Sequence, residues 1–188
     1  MREMTHFAAE WLRNPARMGA VAPSSAGLAR TITDGLSRDS GPVVELGPGT
    51  GVFTERMFAL GVQGAQLAAV EANHALAALL AERYPGVTIR QGDAARVRSL
   101  VPFDPGTVQT VICGLPLLSM PFAHVFRILR NSFDLLTANG EFRLFTYGPT
   151  CPVPHGIQER LGLRSEMHDF VVRNLPPATV YSLRREGR

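Results

Sequence analysis

The hydrophobic residues from position 41 onward fall into short apolar runs that alternate with amphipathic stretches. Apolar runs bounded by glycine, proline or polar residues are typical of strands, and apolar residues three and four apart are typical of helices. The predicted strands are PVVEL (42–46), QLAAVE (66–71), VTIRQ (87–91), VQTVICG (108–114) and EFRLFTYG (141–148). The predicted helices cover residues 50–60, 74–84, a short segment near 94–101, and 122–136. This alternation predicts an α/β domain with a parallel sheet.

The C-terminal part of the chain departs from this alternation. Residues 149–166 contain three prolines and little periodicity, so we predict a long functional loop or an irregular insertion there. Two further strands are predicted at HDFVVRN (168–174) and ATVYSLRR (178–185), and the short connection between them suits an antiparallel hairpin. The predicted fold is therefore a seven-stranded, mostly parallel sheet with a C-terminal antiparallel hairpin and helices on both faces.

The N-terminal segment has a pattern of its own. Phe7, Trp11 and Leu12 share one face of a predicted helix, which the Asn14-Pro15 pair ends. In one interpretation this apolar stripe packs against the domain. In the other, the helix lies in the interface of a bilayer, with Trp11 at the depth of the headgroups. The residues alone leave both interpretations open.

Composition limits the classes of function. The length of 188 residues suits one domain, and a net charge of +3, from 19 arginines against 16 acidic residues, is too small to indicate a nucleic-acid partner. The five histidines and two cysteines show neither metal-ligand spacing nor a CxxC pattern, so we expect neither a metal site nor a disulfide. The sequence shows no signal-peptide core and no run of about 18 apolar residues, so we expect a cytoplasmic protein that does not span a membrane.

A glycine-rich segment, ELGPGTG (45–51), follows the first predicted strand and opens a helix. Glycines let the backbone approach a ligand closely, and the helix N-terminus offers free N–H groups to an anionic group. Glu45, ahead of the glycines, fits a ligand that carries an ammonium group. Glu71 ends the second strand, where an acid can accept the hydroxyls of a ribose, and Asp93 ends the third, where it can accept from an adenine amino group. These three strand ends are expected to meet at one edge of the sheet.

ELGPGTG, Glu71 and GDA (92–94) together resemble the cofactor motifs of class I S-adenosylmethionine-dependent methyltransferases, which have a Rossmann-like fold. The resemblance implies S-adenosylmethionine as the cofactor and S-adenosylhomocysteine as its product. It also implies that the glycine loop receives the methionine end of the cofactor, Glu71 the ribose and Asp93 the adenine. The cofactor-binding residues predicted on this basis are Glu45, Gly47, Gly49, Gly51, Glu71, Ala72, Asp93, Ala94, Gly114 and Leu115.

The fourth predicted strand runs into CGLPLLSMP (113–121), where nucleic-acid amino-group methyltransferases carry an (N/D)PPY-like motif. In those enzymes an aromatic ring stacks on the extruded base. Here Leu117 stands at the tyrosine position and Gly114 at the polar one. The segment therefore gives little support to base stacking and favours an apolar wall for the methyl acceptor.

Longer strings narrow the resemblance. The segments are RNPARMGAVAPSSAGLAR (13–30), ELGPGTGVFT (45–54), GLPLLSMP (114–121), TYGP (146–149) and HDFVVRNLPPATVY (168–181). Together they resemble the small bacterial phosphatidylethanolamine N-methyltransferases, nearly from end to end. Ser119-Met120 and Tyr181 depart from the asparagine-phenylalanine and tryptophan expected there, which bears on acceptor preference. The resemblance implies a monomeric enzyme, peripheral on the inner face of the cytoplasmic membrane, that methylates phosphatidylethanolamine and its mono- and dimethyl forms toward phosphatidylcholine.

The same resemblance implies a division of the chain. Residues 1–36 would form an N-terminal helical segment that associates with an anionic membrane surface and caps the active site, and residues 37–188 would form the methyltransferase domain. It thereby favours the interfacial interpretation of the N-terminal helix, in which arginines attract lipid phosphates.

Candidate residues for the chemistry follow from the need to deprotonate an amine and to hold a lipid. Tyr147 and His168 are the predicted catalytic residues, because a tyrosine ring can hold a methylated ammonium and a histidine can act as a base. Pro116, Leu117 and Arg173 are the predicted substrate-binding residues, with Arg173 on the lipid phosphate. Two other functions stay open: an enzyme similar to rRNA adenine N6-dimethylases, and a non-catalytic membrane-binding protein with a methyltransferase fold. Small-molecule acceptors are a further option.

Overall fold

The structure, a computed structural model, describes residues 26–172, 174 and 176–187. Its helices are α1 (Ala26–Ile32), α2 (Val52–Ala59), α3 (His74–Arg83), α4 (Val97–Leu100), α5 (Phe122–Leu135) and α6 (His155–Leu161). Its strands are β1 (Val43–Leu46), β2 (Leu67–Glu71), β3 (Thr88–Gln91), β4 (Val108–Cys113), β5 (Leu136–Thr146), β6 (Leu163–Val171) and β7 (Ala178–Arg185). Short 3₁₀ turns cover Gly64–Gln66, Ala94–Arg96 and Leu117–Ser119.

The strands form one sheet in the order β3-β2-β1-β4-β5-β7-β6. Strands β1 to β5 are parallel, and β7 runs antiparallel between β5 and β6. The predicted seven-stranded sheet with its C-terminal antiparallel hairpin is confirmed. The carboxyl ends of β1 to β5 lie along one edge of the sheet, where the strand order reverses between β1 and β4.

Helices cover both faces of the sheet, as predicted. The central strand β1 is buried along its whole length, with Val43 in the core cluster on one face and Val44 and Leu46 in the cluster on the other. A parallel strand covered on both faces is apolar throughout, which is why VVEL has no polar–apolar alternation apart from Glu45. No helix among the described residues is long and apolar enough to cross a bilayer.

The prediction of an irregular segment over 149–166 is wrong for its second half. Helix α6 begins after Pro154, which occupies the N-cap position, and ends at Gly162, whose φ of 60° is left-handed. A proline is tolerated there because the first N–H groups of a helix have no partner within it. Strand β6 then begins at Leu163, five residues earlier than expected. The prolines marked the start of a short helix rather than a loop.

Residues 26–36, which the sequence analysis assigns to the N-terminal segment, belong to the core of the domain. Leu28 and Ile32 of α1 are fully buried against residues of α2 and β7. The guanidinium of Arg143, buried in β5, donates to the carbonyl oxygens of Ile32 and Asp34 and so satisfies the C-terminal end of α1. Residues 1–25 and the membrane helix predicted in them lie outside the described residues.

Candidate active site

The glycine loop connects β1 to α2 at the carboxyl edge of the sheet. Gly47, Gly49 and Gly51 have φ values of 68°, 57° and 87°, a region that residues with a side chain rarely adopt. The loop is fixed to its neighbour strand because the Gly47 N–H donates to the carbonyl of Val70 over 2.9 Å. Three glycines in this segment are therefore a requirement of its backbone conformation.

Gly114 brings the end of β4 into direct contact with this loop. Its N–H donates to the carbonyl of Leu46 over 2.8 Å. A Cβ at position 114 would lie 2.6 Å from the carbonyl oxygen of Gly47, closer than real contacts allow. The absence of a side chain at Gly114 thus lets the cofactor loop and the acceptor segment CGLPLLSMP meet.

Glu71 holds the glycine loop in place from the end of β2. Its Oε2 accepts from the N–H of Gly49 over 3.1 Å, and its Oε1 accepts from the N–H of Asn73 over 2.8 Å. Asn73 caps α3 by accepting from Ala75 and Leu76, as predicted for that position. Each carboxylate oxygen keeps further acceptor capacity, so Glu71 can also receive ribose hydroxyls, as the sequence predicts.

A cavity of about 370 Å³ opens beside Glu71, between the ends of β2, β3 and β4. Its lining residues are Val70, Ala72, Gln91, Gly92, Asp93, Ala94, Leu115, Met120 and His124. The structure thus brings together four of the predicted cofactor residues, Ala72, Asp93, Ala94 and Leu115. Mostly apolar walls with a few polar groups are typical of a site for a small molecule.

His124 and Met120 are residues of this cavity that the sequence analysis missed. His124 enters from the first turn of α5, and its Nε2 lies 3.0 Å from Oδ1 of Asp93. The same Oδ1 accepts from the N–H of Ala95, so Asp93 also caps the 3₁₀ turn that follows it. The histidine carries no motif, and its only sequence signal was an unassigned polar residue at the start of a helix next to CGLPLLSMP.

Glu45 is fully buried beneath the glycine loop and does not line this cavity. Its Oε2 accepts from the hydroxyl of Thr54 over 2.6 Å, whereas Oε1 has no partner among the described residues. Burial raises the pKa of this carboxyl from 4.5 to about 7, against the hydrogen bonds from Thr54 that lower it. The role of Glu45 toward an ammonium group stays a prediction.

A second, smaller cavity of about 40 Å³ lies on the other side of Leu115. Its lining residues are Gly114, Leu115, Pro116, Leu117, Leu118, Phe145, Thr146, Tyr147 and Pro152. The predicted substrate residues Pro116 and Leu117 therefore meet the predicted catalytic Tyr147. Burial raises the pKa of Tyr147 above its usual 10, so its phenol is protonated at neutral pH. Its ring packs edge-on against Phe145, with centroids 5.5 Å apart.

The structure corrects the prediction for His168. Strand β6 is at the edge of the sheet, three strands and hence about 14 Å from β4. The pairing of β6 with β7 shifts between Met167 and Asp169, so His168 is the extra residue of a bulge, and bulges redirect side chains. Its Nε2 lies 3.8 Å from Oδ2 of Asp34, in a separate cavity beside α1.

Arg173 lies outside the described residues, so its predicted contact with a phosphate stays a prediction. Elsewhere in the chain, over the residues that the structure describes, no group of three or more His, Cys, Asp or Glu side chains could hold a metal ion. The chemistry of the site is therefore built from the glycine loop, two carboxylates, one tyrosine and an apolar segment.

This crevice coincides with the part of the chain that matches a known family. Residues 44–144, from β1 through most of β5, match the family model described as "Methyltransferase domain". The chain belongs to this methyltransferase family. Its methyl donor is S-adenosylmethionine, and the sequence-based prediction of that cofactor is confirmed. No curated protein matches the sequence.

Solved structures share the fold of this methyltransferase at low sequence identity. A TehB-like SAM-dependent methyltransferase from Corynebacterium glutamicum is 17% identical with a TM-score of 0.64, and the alignment covers 98% of this chain and 99% of that one. The glycopeptide N-methyltransferase MtfA, solved with S-adenosylmethionine, is 15% identical with a TM-score of 0.65 and 90% coverage of both chains. A SAM-dependent methyltransferase from Archaeoglobus fulgidus is 13% identical, with a TM-score of 0.63 and coverage of 86% and 95%.

The residues of the crevice fit this cofactor. The left-handed glycine loop leaves room for a ligand backbone, because a Cβ at Gly47 would overlap the side chain of Leu115. Glu71 and Asp93 stand on adjacent strands, as a ribose and its base require, and the cavity between them has the volume of a small-molecule site. When bound, the cofactor supplies an electrophilic methyl group on a sulfonium.

Proposed function

We propose that this methyltransferase transfers methyl groups to the amino headgroup of phosphatidylethanolamine and its mono- and dimethyl forms, toward phosphatidylcholine, at the inner surface of the cytoplasmic membrane. The observation that carries the proposal is the apolar acceptor wall, Gly114 to Leu118, which lies between the cofactor cavity and Tyr147. The resemblance of the surrounding strings to phosphatidylethanolamine N-methyltransferases supports the same substrate class.

The acceptor wall suits an amine that is attached to an apolar body. No carboxylate, histidine or arginine lines the smaller cavity within the described chain, and Tyr147 contributes the one ionisable side chain there. A nucleobase would need an aromatic stacking partner beside hydrogen-bond donors and acceptors. Leu117, which stands where such an aromatic would be, is instead buried in the apolar core. This favours a lipid amine over an extruded base.

Exposed apolar side chains continue from the acceptor wall to the protein surface. Leu118 is 69% exposed, and Phe122, one turn further at the start of α5, is also exposed. Thr146 of β5, Thr179 of β7 and Phe170 of β6 pair in one row, so the end of β6 lies at the same edge as Tyr147. Phe170 is half exposed. Apolar side chains beside an active site are what contact with a lipid surface requires.

The chemistry of the chain's own residues is limited to positioning and to the handling of one proton. The amine must lose its proton before its lone pair can form the new N–C bond, while the electron pair of the breaking C–S bond goes to sulfur. Because the phenol of Tyr147 is protonated, it acts as a hydrogen-bond partner and a ring face for the ammonium rather than as a base. The proton therefore leaves to water, and the apolar wall holds the amine in line with the methyl group.

The test is methyl transfer from labelled S-adenosylmethionine to vesicles of phosphatidylethanolamine and an anionic lipid, with vesicles that lack phosphatidylethanolamine as the control. We expect mono- to trimethylated lipid. Leu118→Ser should lower the rate on vesicles, whereas Leu79→Ser, at an exposed leucine of α3, should not. Binding of S-adenosylhomocysteine should be unchanged in both variants.

Two results would overturn the proposal. The first is an absence of lipid methylation by a preparation that binds S-adenosylhomocysteine. The second is equal activity on a soluble amine and on vesicles, together with no effect of Leu118→Ser, which would indicate a small-molecule N-methyltransferase. Transfer to RNA instead of lipid would support the dimethylase-like alternative and also contradict the proposal.

A further inference from the structure

The pair formed by His124 and Asp93 stands in the cofactor cavity, and no motif accounts for the histidine. The Nε2 of His124 is 3.0 Å from Oδ1 of Asp93, and both side chains are partly exposed to the cavity. Oδ1 also accepts from the N–H of Ala95 over 2.9 Å. Two donors therefore act on one oxygen of the carboxylate. Within the described residues Oδ2 has no hydrogen-bond partner, so it is available to a ligand.

The surroundings of His124 indicate which of its nitrogens carries the proton. A terminal nitrogen of Arg127, one turn further along α5, lies 3.4 Å from Nδ1 of His124. A guanidinium can only donate, so it favours a lone pair on Nδ1 and a proton on Nε2. In that tautomer Nε2 donates to Asp93. The order Arg127, His124, Asp93 is thus a chain of donors that ends on the carboxylate.

A carboxylate oriented in this way can only accept hydrogen bonds from a ligand. An adenine offers it the N–H of a 6-amino group. A hypoxanthine base has a carbonyl oxygen at that position, which an ionised carboxylate repels, and it offers an N–H only at N1. A carboxylate that is free to turn could reach N1–H, whereas one that is held by two donors on Oδ1 cannot turn without breaking both hydrogen bonds.

We propose that His124 is a positioning residue for cofactor specificity: by donating to Asp93, it makes the crevice select a 6-amino purine over a 6-oxo purine in the nucleoside part of the cofactor. The inference rests on the cofactor and is independent of the methyl acceptor. His124 acts through Asp93, and its effect is therefore on the discrimination between two ligands more than on the affinity for either of them alone.

The experiment measures calorimetrically the affinities for S-adenosylhomocysteine and for its 6-oxo analogue, S-inosylhomocysteine. Wild type should prefer the adenosyl ligand. His124→Phe keeps a planar ring but has no donor, and we expect the preference to fall about tenfold, the usual effect of one hydrogen bond to a charged group. Any stacking on the new ring acts on both ligands and cancels in the ratio. His124→Gln keeps a donor near the position of Nε2 and should retain most of the preference.

The matched control is His155→Phe, because His155 also pairs with an acid, Glu159, but is exposed on α6 away from the cavity. It should leave both affinities unchanged. The inference is overturned if His124→Phe keeps the wild-type ratio, or if His124→Phe and His124→Gln lose it to the same extent. Failure of wild type to bind S-adenosylhomocysteine would instead contradict the cofactor assignment, so the two failures are distinct.

Discussion

Replacing Gly114 by alanine tests whether the contact between β4 and the glycine loop shapes the cofactor site. The added Cβ would lie 2.6 Å from the carbonyl oxygen of Gly47 and 3.5 Å from that of Leu46. Ordinary contacts begin at 3.4 Å, so the first oxygen must move by about 0.8 Å. It belongs to the backbone of a loop held by a hydrogen bond to Val70, and it cannot rotate away as a side chain could.

Overpacking of this kind costs about 1 to 3 kcal/mol, which for a chain of this size corresponds to a fall in Tm of about 2 to 12 °C. The displaced loop should also lower the affinity for S-adenosylhomocysteine, because its N–H groups no longer match the ligand. Thermal unfolding followed by circular dichroism and calorimetric titration measure the two effects.

Gly156→Ala is the matched control for this substitution. Gly156 lies in the first turn of α6, its φ is not left-handed, and nothing lies within 4 Å of an added Cβ. Alanine is the better helix former, so this variant should gain about 0.5 to 1 kcal/mol and leave cofactor affinity unchanged. A Gly114→Ala variant with wild-type stability and affinity would show that the loop yields freely and would refute the reasoning.

Two further predictions concern buried charges. Glu45 keeps its proton in the folded state up to about pH 7, whereas in the unfolded chain it loses it near pH 4.5, so its burial makes stability fall as the pH rises through that window. Between pH 5 and 8 wild type should lose about 2 to 3 kcal/mol relative to Glu45→Gln in urea unfolding, and parallel pH profiles would contradict this. Arg143 lies in a buried network, where it and Arg184 hold the carboxylate of Glu141; burial raises the pKa of Glu141, but these two arginines outweigh it and lower the pKa overall. Arg143→Met removes one of these partners and the cap of α1, and should cost about 3 to 5 kcal/mol. Arg164→Met, which breaks the exposed pair with Glu166, should cost less than about 1 kcal/mol, and similar losses in both variants would disprove a special role for the buried network.

The sequence by itself determined the sheet and the cofactor loop. Strands such as β1 and β4 are apolar because both of their faces are covered, and that pattern is visible within a few residues. The glycines of ELGPGTG are fixed by left-handed φ values, a constraint that acts residue by residue. Glu71 and Asp93 could be placed because each directly ends a strand, and parallel strands end at one edge.

Where the signal was mixed, local reasoning failed. Three prolines over 149–166 outweighed the helical spacing of α6, although Pro154 only marks its first turn. The strand that carries His168 was predicted, but the bulge that turns this side chain toward Asp34 depends on its pairing with β7 and on α1. A bulge is a property of two paired strands and has no signature in one of them.

Only the tertiary structure decided which side chains share a cavity. His124 stands 31 positions after Asp93 and meets it because α5 packs against the turn that follows β3. Pro116 and Leu117 meet Tyr147 because β4 and β5 pair side by side, and Gly114 reaches the glycine loop because a Cβ is missing there. Periodicity reports how each segment divides its residues between core and solvent, and this is a local property. Contacts between segments depend on how the helices and strands pack, and a pattern along one chain does not contain that distance.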